Sequence, residues 1–228
     1  MKTYFLQLCL LLVSFSFYAQ QNIIGKPNYK KIKKSIQKEN GDFYYPALME
    51  RFKAGDSTMN IDEKRHLYYG FINEDLYSPY GRSDYSDSLR EVLKKPNHND
   101  GDLDEIEKFS DSILVEKPFS FKAMNYKLYV FDTKKDTLNF NKTIDKVNIV
   151  LDAIFSSGDG KKKESAFYVI ETSHEYFILE VLGFQFGGTQ RLIEHYDYLE
   201  IAENESGIEG LYFDVSPCLQ SLSNTFGD

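Results

Sequence analysis

Apolar residues along this chain keep two rhythms. Up to about residue 160 they recur at helical spacing; beyond it they fall into short alternating or continuous runs of the kind strands make. In the first part, "PALMERFKAGD" puts Pro46 in a first helical turn, where its missing N–H costs nothing, and stops at Gly55. "STMNIDEKRHLYYGFINEDLY" follows, with Asn60 as N-cap and Glu63 three residues on, the spacing of a capping box. Ile61, Leu67, Phe71 and Ile72 supply its inward face. "YSDSLREVLKK" predicts a third helix that halts before Pro96. The loop "KPNHNDGD" then leads into "LDEIEKFSDSILVEK", which Pro118 ends.

"SFKAMNYKLYVFDTKKD" and "NKTIDKVNIVLDAIFSS" predict one more helical pair, the second striped by Ile144, Val147, Leu151 and Ile154. Successive pairs of similar length predict a helical-hairpin array. "DEIEKFSDSILVEKP" is similar to the second helix of a tetratricopeptide repeat, with Ile106, Ile113 and Pro118 at that motif's spacings, although the aromatic and glycine positions of the first helix are not kept. Past residue 160, "AFYVIE" and "EYFILEVLGF" read as strands joined by "TSH", and "DYLEIAEN" and "EGLYFDVS" as two more around the turn "ESGI". "GFQFGGTQRL" predicts a bulge or wide turn before another short strand. The expected fold is therefore α+β: a helical region over residues 21–160, tetratricopeptide-like, followed by an antiparallel β-sheet over 161–228. The helix from Thr143 to Ser156 covers one face of that sheet and makes the two regions one continuous domain.

Residues 1–20 stand outside that pattern. Lys2 followed by "YFLQLCLLLVSFSFYA" has the charge and the short apolar core of a secretory signal peptide, with cleavage expected after Ala19. Export then follows, to the periplasm or beyond. Cys9 lies inside the apolar stretch without a small residue before it, which argues against a lipoprotein. Cys218 is then the one mature cysteine, and a small buried residue is the expectation there. No second long apolar run occurs, so no integral membrane span is expected in the mature chain. A net charge of −8 argues against nucleic acid as a partner.

Candidate chemistry is sparse. "IFSSGDGKKKESAFYVIE" looks like a phosphate or calcium loop, but Phe155 occupies the position of the first glycine of a P-loop and of the first EF-hand ligand. Gly158, Asp159 and Gly160 are better explained as a structural junction, with Gly158 as the left-handed residue closing a helix. In "HNDGD", Asp102 reads as a helix N-terminal acid. Asp62 and His66 share a helix face but lack further metal ligands nearby, so exposed polarity is expected and no metal or other cofactor. No G-x-S-x-G nucleophile motif occurs. The segment "LYYGFINEDLYSPYGRSDY" is the strongest candidate surface: Tyr69, Tyr77, Tyr80 and Arg82 sit around glycine and proline, a composition suited to recognition, although the favoured reading is that its tyrosines seal the helical core and hydrogen-bond the irregular loop backbone.

"YYPALMERFKAGDSTMNIDEKRHLYYGF", "YSPYG", "IFSSGDGKKKESAFYVIE", "HEYFILEVLGF", "DYLEIAEN" and "GIEGLYFDV" together resemble the domain of unknown function 4919 family, over almost the whole mature chain. The resemblance implies an exported protein of Bacteroidota. It brings no activity and no catalytic residues. The expected function is a non-catalytic binding or assembly module of the bacterial cell envelope, with another envelope protein as partner. The alternative is an envelope hydrolase whose acidic catalytic residues are dispersed along the chain.

Overall fold

The computed structural model describes residues 24–226. The proposed signal segment, residues 1–20, lies outside them. Contacts divide the described chain into two compact units, residues 31–150 and residues 24–30 with 151–226.

The first unit is helical: α1 (Tyr29–Ile36), α2 (Tyr45–Ala54), α3 (Ile61–Gly70), a 3-10 turn at Phe71–Asn73, α4 (Tyr85–Leu93), α5 (Asp100–Glu116), α6 (Phe121–Lys134) and α7 (Thr137–Phe155), the first and last of which run across its limits. Local chemistry sets the ends. Pro46 stands in the first turn of α2, and Gly55 closes that helix at φ 70°. Asn60 and Glu63 form the capping box of α3. Asn99 and Asp102 form another on α5, so Asp102 is the reciprocating acid and Asn99 the cap itself. Arg51 ties α2 to α3 through Asp56 and Glu63 at 2.7 and 2.5 Å.

Packing is strongest around Phe119, which has no exposed surface. Phe52, Tyr68 and Phe71 meet its ring edge-on with centroids 5.1, 5.6 and 5.4 Å away. Offset and edge-on geometries suit the quadrupoles of aromatic rings and add to the burial term. A second apolar cluster joins α4, α5 and α6 through Leu89, Leu103, Ile106 and Val130. The helix α5 packs against both α4 and α6, in keeping with an array of neighbouring helices.

The second unit carries β1 (Phe167–Tyr168), α8 (Ser173–Val181), β2 (Phe186–Ile193), β3 (Tyr196–Ile201), β4 (Gly210–Asp214) and α9 (Ser216–Phe226). The strands order as β1-β4-β3-β2. Pairing of β2 with β3 and of β3 with β4 is antiparallel, but β1 runs parallel to β4, so the sheet is mixed rather than wholly antiparallel. The reason lies in "EYFILEVLGF": it forms α8 instead of a strand, and a helical crossover returns the chain in the direction a parallel neighbour requires. Its residues His174, Glu175, Ile178 and Leu179 are buried at helical spacing, a signal masked by the strand propensity of Tyr, Phe and Ile. The expected bulge is present, as a register shift between Phe186 and Gln190 on β2. β3 buries alternate residues, Asp197, Leu199 and Ile201. The last turn of α7 meets the sheet where Phe155 packs edge-on against Phe167, 5.5 Å between centroids. Cys218 on α9 is buried.

Candidate functional site

The loop around Gly158 is a junction in structure as well. Backbone N–H groups of Asp159 and Gly160 both donate to the Ser165 carbonyl, at 2.9 and 2.8 Å. The Asp159 carboxylate accepts from the Ser165 hydroxyl at 2.6 Å and from the Lys161 N–H at 3.1 Å. The positive φ belongs to Gly160, at 72°, and not to Gly158 as expected. Gly158 is required for a different reason: a Cβ there would stand 2.1 Å from the Ser165 carbonyl oxygen. The Asp159 carboxylate is thus spent on the loop itself, and the Gly160 carbonyl accepts from the Tyr212 N–H of β4 at 2.7 Å.

The tyrosine segment separates into three environments. Tyr69 is completely enclosed, next to Tyr68 with ring centroids 5.0 Å apart, and so offers no surface to a partner. Tyr77 is half-buried and packs edge-on against Phe71 at 5.9 Å. Tyr80 is 46 % exposed. Arg82 is exposed and pairs with Asp87. His66, expected on an exposed helix face, is buried instead and stacks on Phe43 with centroids 3.8 Å apart. Its pKa is held below the usual histidine value by that burial. Among the described residues no cluster of three metal-ligating side chains occurs.

The same segment that carries those tyrosines does help to build a site. Residues Phe71, Glu74, Asp75 and Leu76 form one wall of a groove of about 830 Å³ within the helical unit. Helix α2 contributes Tyr45, Met49 and Lys53; α5 contributes Asp111, Leu114 and Val115. The floor and far side come from Met124 and Lys127 on α6 and from Thr143 and Lys146 on α7. This volume lies in the range of sites that enclose small ligands, and its mixture of apolar walls with a few polar groups is the composition such sites show. Leu76 and Val115 line the groove 59 % and 72 % exposed.

Polar groups in the groove are incompletely matched. Tyr45 is 6 % exposed, yet its hydroxyl has no hydrogen-bond partner. Burial, with the charge of Glu74 added, pushes that hydroxyl's pKa well above the tyrosine range, so it remains a neutral O–H. Among the described residues Glu74 has no ion-pair partner; burial and then the charge of Asp75 raise its pKa. On the other side Lys127 is engaged with Asp111. Lys146 is half-buried, and among the described residues no carboxylate forms an ion pair with it. Burial lowers its pKa, and the charges of Lys127, Lys142 and Lys53 lower it further against the pull of Asp111. Charges in the groove are therefore mixed: Glu50, Glu74, Asp75 and Asp111 line it together with Lys53, Lys127 and Lys146.

A second polar cluster lies in the other unit. Glu175 on α8 has no exposed surface, and its carboxyl pKa is pushed up to about 10 by burial and by the charge of Asp197; among the described residues neither of its carboxyl oxygens has a hydrogen-bond partner. Tyr176 donates to Gln190 Oε1 at 2.5 Å, and Gln190 Nε2 donates to Asp197 at 2.9 Å. A neutral acid beside a second carboxyl group is the pairing that acid–base chemistry uses, but here the acid is sealed inside the protein. At the end of β4, Asp214 accepts the Ser216 hydroxyl at 2.6 Å and lies 3.4 Å from His195 Nε2. The serine proton thus points to the carboxylate, whereas nucleophile activation needs it on the imidazole.

Fold and site together define an α+β protein with a helical groove and a four-stranded mixed sheet. The chain belongs to the family described as Domain of unknown function (DUF4919), whose model matches residues 30–224. No curated protein and no solved structure matches it.

Proposed function

We propose that this protein is a non-catalytic binding module acting outside the cytoplasm, in the bacterial cell envelope, and that the groove between α2, α5, α6 and α7 is where its partner is held. The observation that carries this reading is a groove of about 830 Å³ in which the Lys146 ammonium is half-buried and forms no ion pair with any described carboxylate. Exposed Leu76 and Val115 add apolar surface that a partner would cover. Helices α2, α5, α6 and α7 frame most of the site, and the signal-like N-terminus supports export.

Photo-crosslinking tests it. p-Benzoylphenylalanine placed at position 115, in the groove, is expected to give discrete products in envelope extract that excess unmodified protein suppresses. The same group at position 138, exposed but outside the groove, should give none. Equal products from both positions, or none from position 115, would overturn the proposal.

A further inference from the structure

The sheet of the second unit has one open edge. Its order β1-β4-β3-β2 leaves β1 and β2 outermost. β1 is two residues long, which protects that side by shortness. β2 has eight residues, seven of them exposed. Its bulge confines regular pairing to residues 190–193. Ile193 and Tyr196 close the two-residue turn as a hydrogen-bonded pair. The alternation of an antiparallel ladder then directs the N–H and C=O of Leu192 and Gln190 away from β3. Among the described residues no other backbone group meets those four.

One face beside this edge is apolar. Gln190 and Leu192 share the face of their register partners Leu199 and Asp197, where Tyr176 of α8 donates to Gln190 and packs edge-on against Phe186. Tyr176, Phe186 and Leu192 are all exposed there. Arg191 is on the opposite face, over the Tyr198 ring at 5.3 Å. It shares a hollow with Glu200, Glu203 and Glu209, but forms no ion pair with any described carboxylate. A strand added to β2 would lie one strand spacing from Arg191 and two, about 10 Å, from Glu200 on β3, so Arg191 is the nearer charge. A second copy fits this edge poorly. The twofold pairing that uses all four outward groups sets Gln190 across from Leu192 in both directions. Arg191 then stands directly across from its own copy, like charge against like at the closest pair. We infer that the edge takes up an extended segment of another protein as a fifth, antiparallel strand, with apolar side chains opposite Gln190 and Leu192 and an acidic one opposite Arg191. Backbone bonds hold such a segment, and its alternate side chains select it.

The probe is the peptide acetyl-Thr-Val-Glu-Val-Thr-amide, titrated into nitrogen-15-labelled protein. Saturable shifts are expected at the Gln190 and Leu192 amides, with the Leu103 amide of α5 unmoved. Methylating the nitrogen of either valine removes a donor to β2 and should weaken binding about tenfold or more. Methylating the glutamate nitrogen, which points away from β2, should change binding by less than about threefold. Lysine in place of the peptide's glutamate should weaken binding about two- to fivefold, a difference that Arg191→Ala should erase. Leu192→Pro, tolerated on an edge because that N–H is outside the ladder, should abolish binding. Absence of saturable shifts at Gln190 and Leu192 up to the peptide's solubility limit would overturn the inference, as would equal losses from all three methylations. Those comparisons use the unaltered protein, so they decide even if a variant fails to fold. A dimer of the protein alone that Leu192→Pro dissociates would also overturn it, by giving the edge to a second copy.

Discussion

Gly158 approaches Ser165 so closely that a Cβ on it would stand 2.1 Å from the Ser165 carbonyl oxygen and 2.5 Å from that of Ala166. No side chain rotation relieves such an overlap, because both partners are backbone. Gly158→Ala must displace the turn that accepts the Asp159 and Gly160 N–H groups. A loss of about 1–3 kcal/mol is expected, as for other forced overpacking, seen as a lower urea midpoint. Lys161→Ala, a change at an exposed position of the same loop, should leave the midpoint unmoved.

Phe119 holds three aromatic rings of the helical unit together. Truncating it to alanine removes the ring and leaves a cavity, a change that costs about 3–5 kcal/mol in comparable cores. Tyr80→Ala, at an exposed ring, should change stability by less than about 0.5 kcal/mol. Chemical denaturation of the two variants measures both, and similar losses would show that Phe119 is not the hub.

Glu175 sets a pH dependence. Its folded pKa of about 10 lies far above the ordinary glutamate value of 4.5. Between these limits the native state keeps a proton that the unfolded chain releases. The contribution is therefore fully present below the unfolded pKa and is lost as pH rises toward the folded one, by up to about 1.4 kcal/mol per pH unit. Glu175→Gln keeps the shape without the titration. The difference in stability between variant and parent should grow in the variant's favour from pH 5 to pH 8.5. A difference that stays constant over that range would place an ionised carboxylate at this position.

Much of the helical half could be read from residue pattern because its determinants are local. Pro46, Gly55, Asn60 and Glu63 act within one turn of chain, and the structure has each of them in its expected role. The sheet depends on distant partners. β1 is two residues long and owes its existence to β4, some forty-five residues on, so no local rule distinguishes parallel from antiparallel pairing there. For α8, β-branched and aromatic residues gave a strand-like appearance while the buried spacing was helical. Gly158 was identified as a special glycine, but its reason, proximity to Ser165, is tertiary. The tyrosine segment was singled out for rings of which Tyr69 proved internal. Its contribution to the groove comes from Glu74, Asp75 and Leu76, and Lys146 joins them from a helix seventy residues later. Such a gathering has no counterpart in linear spacing.

The groove itself can be watched through methionine. Met49 and Met124 line it, whereas Met59 is buried elsewhere in the same unit. Labelling the methionine methyl groups with carbon-13 and adding envelope extract follows all three signals in one spectrum. Occupation of the groove predicts saturable shifts at Met49 and Met124 with Met59 unchanged. Binding that leaves Met49 and Met124 in place, or that moves Met59 as much as either, would contradict it.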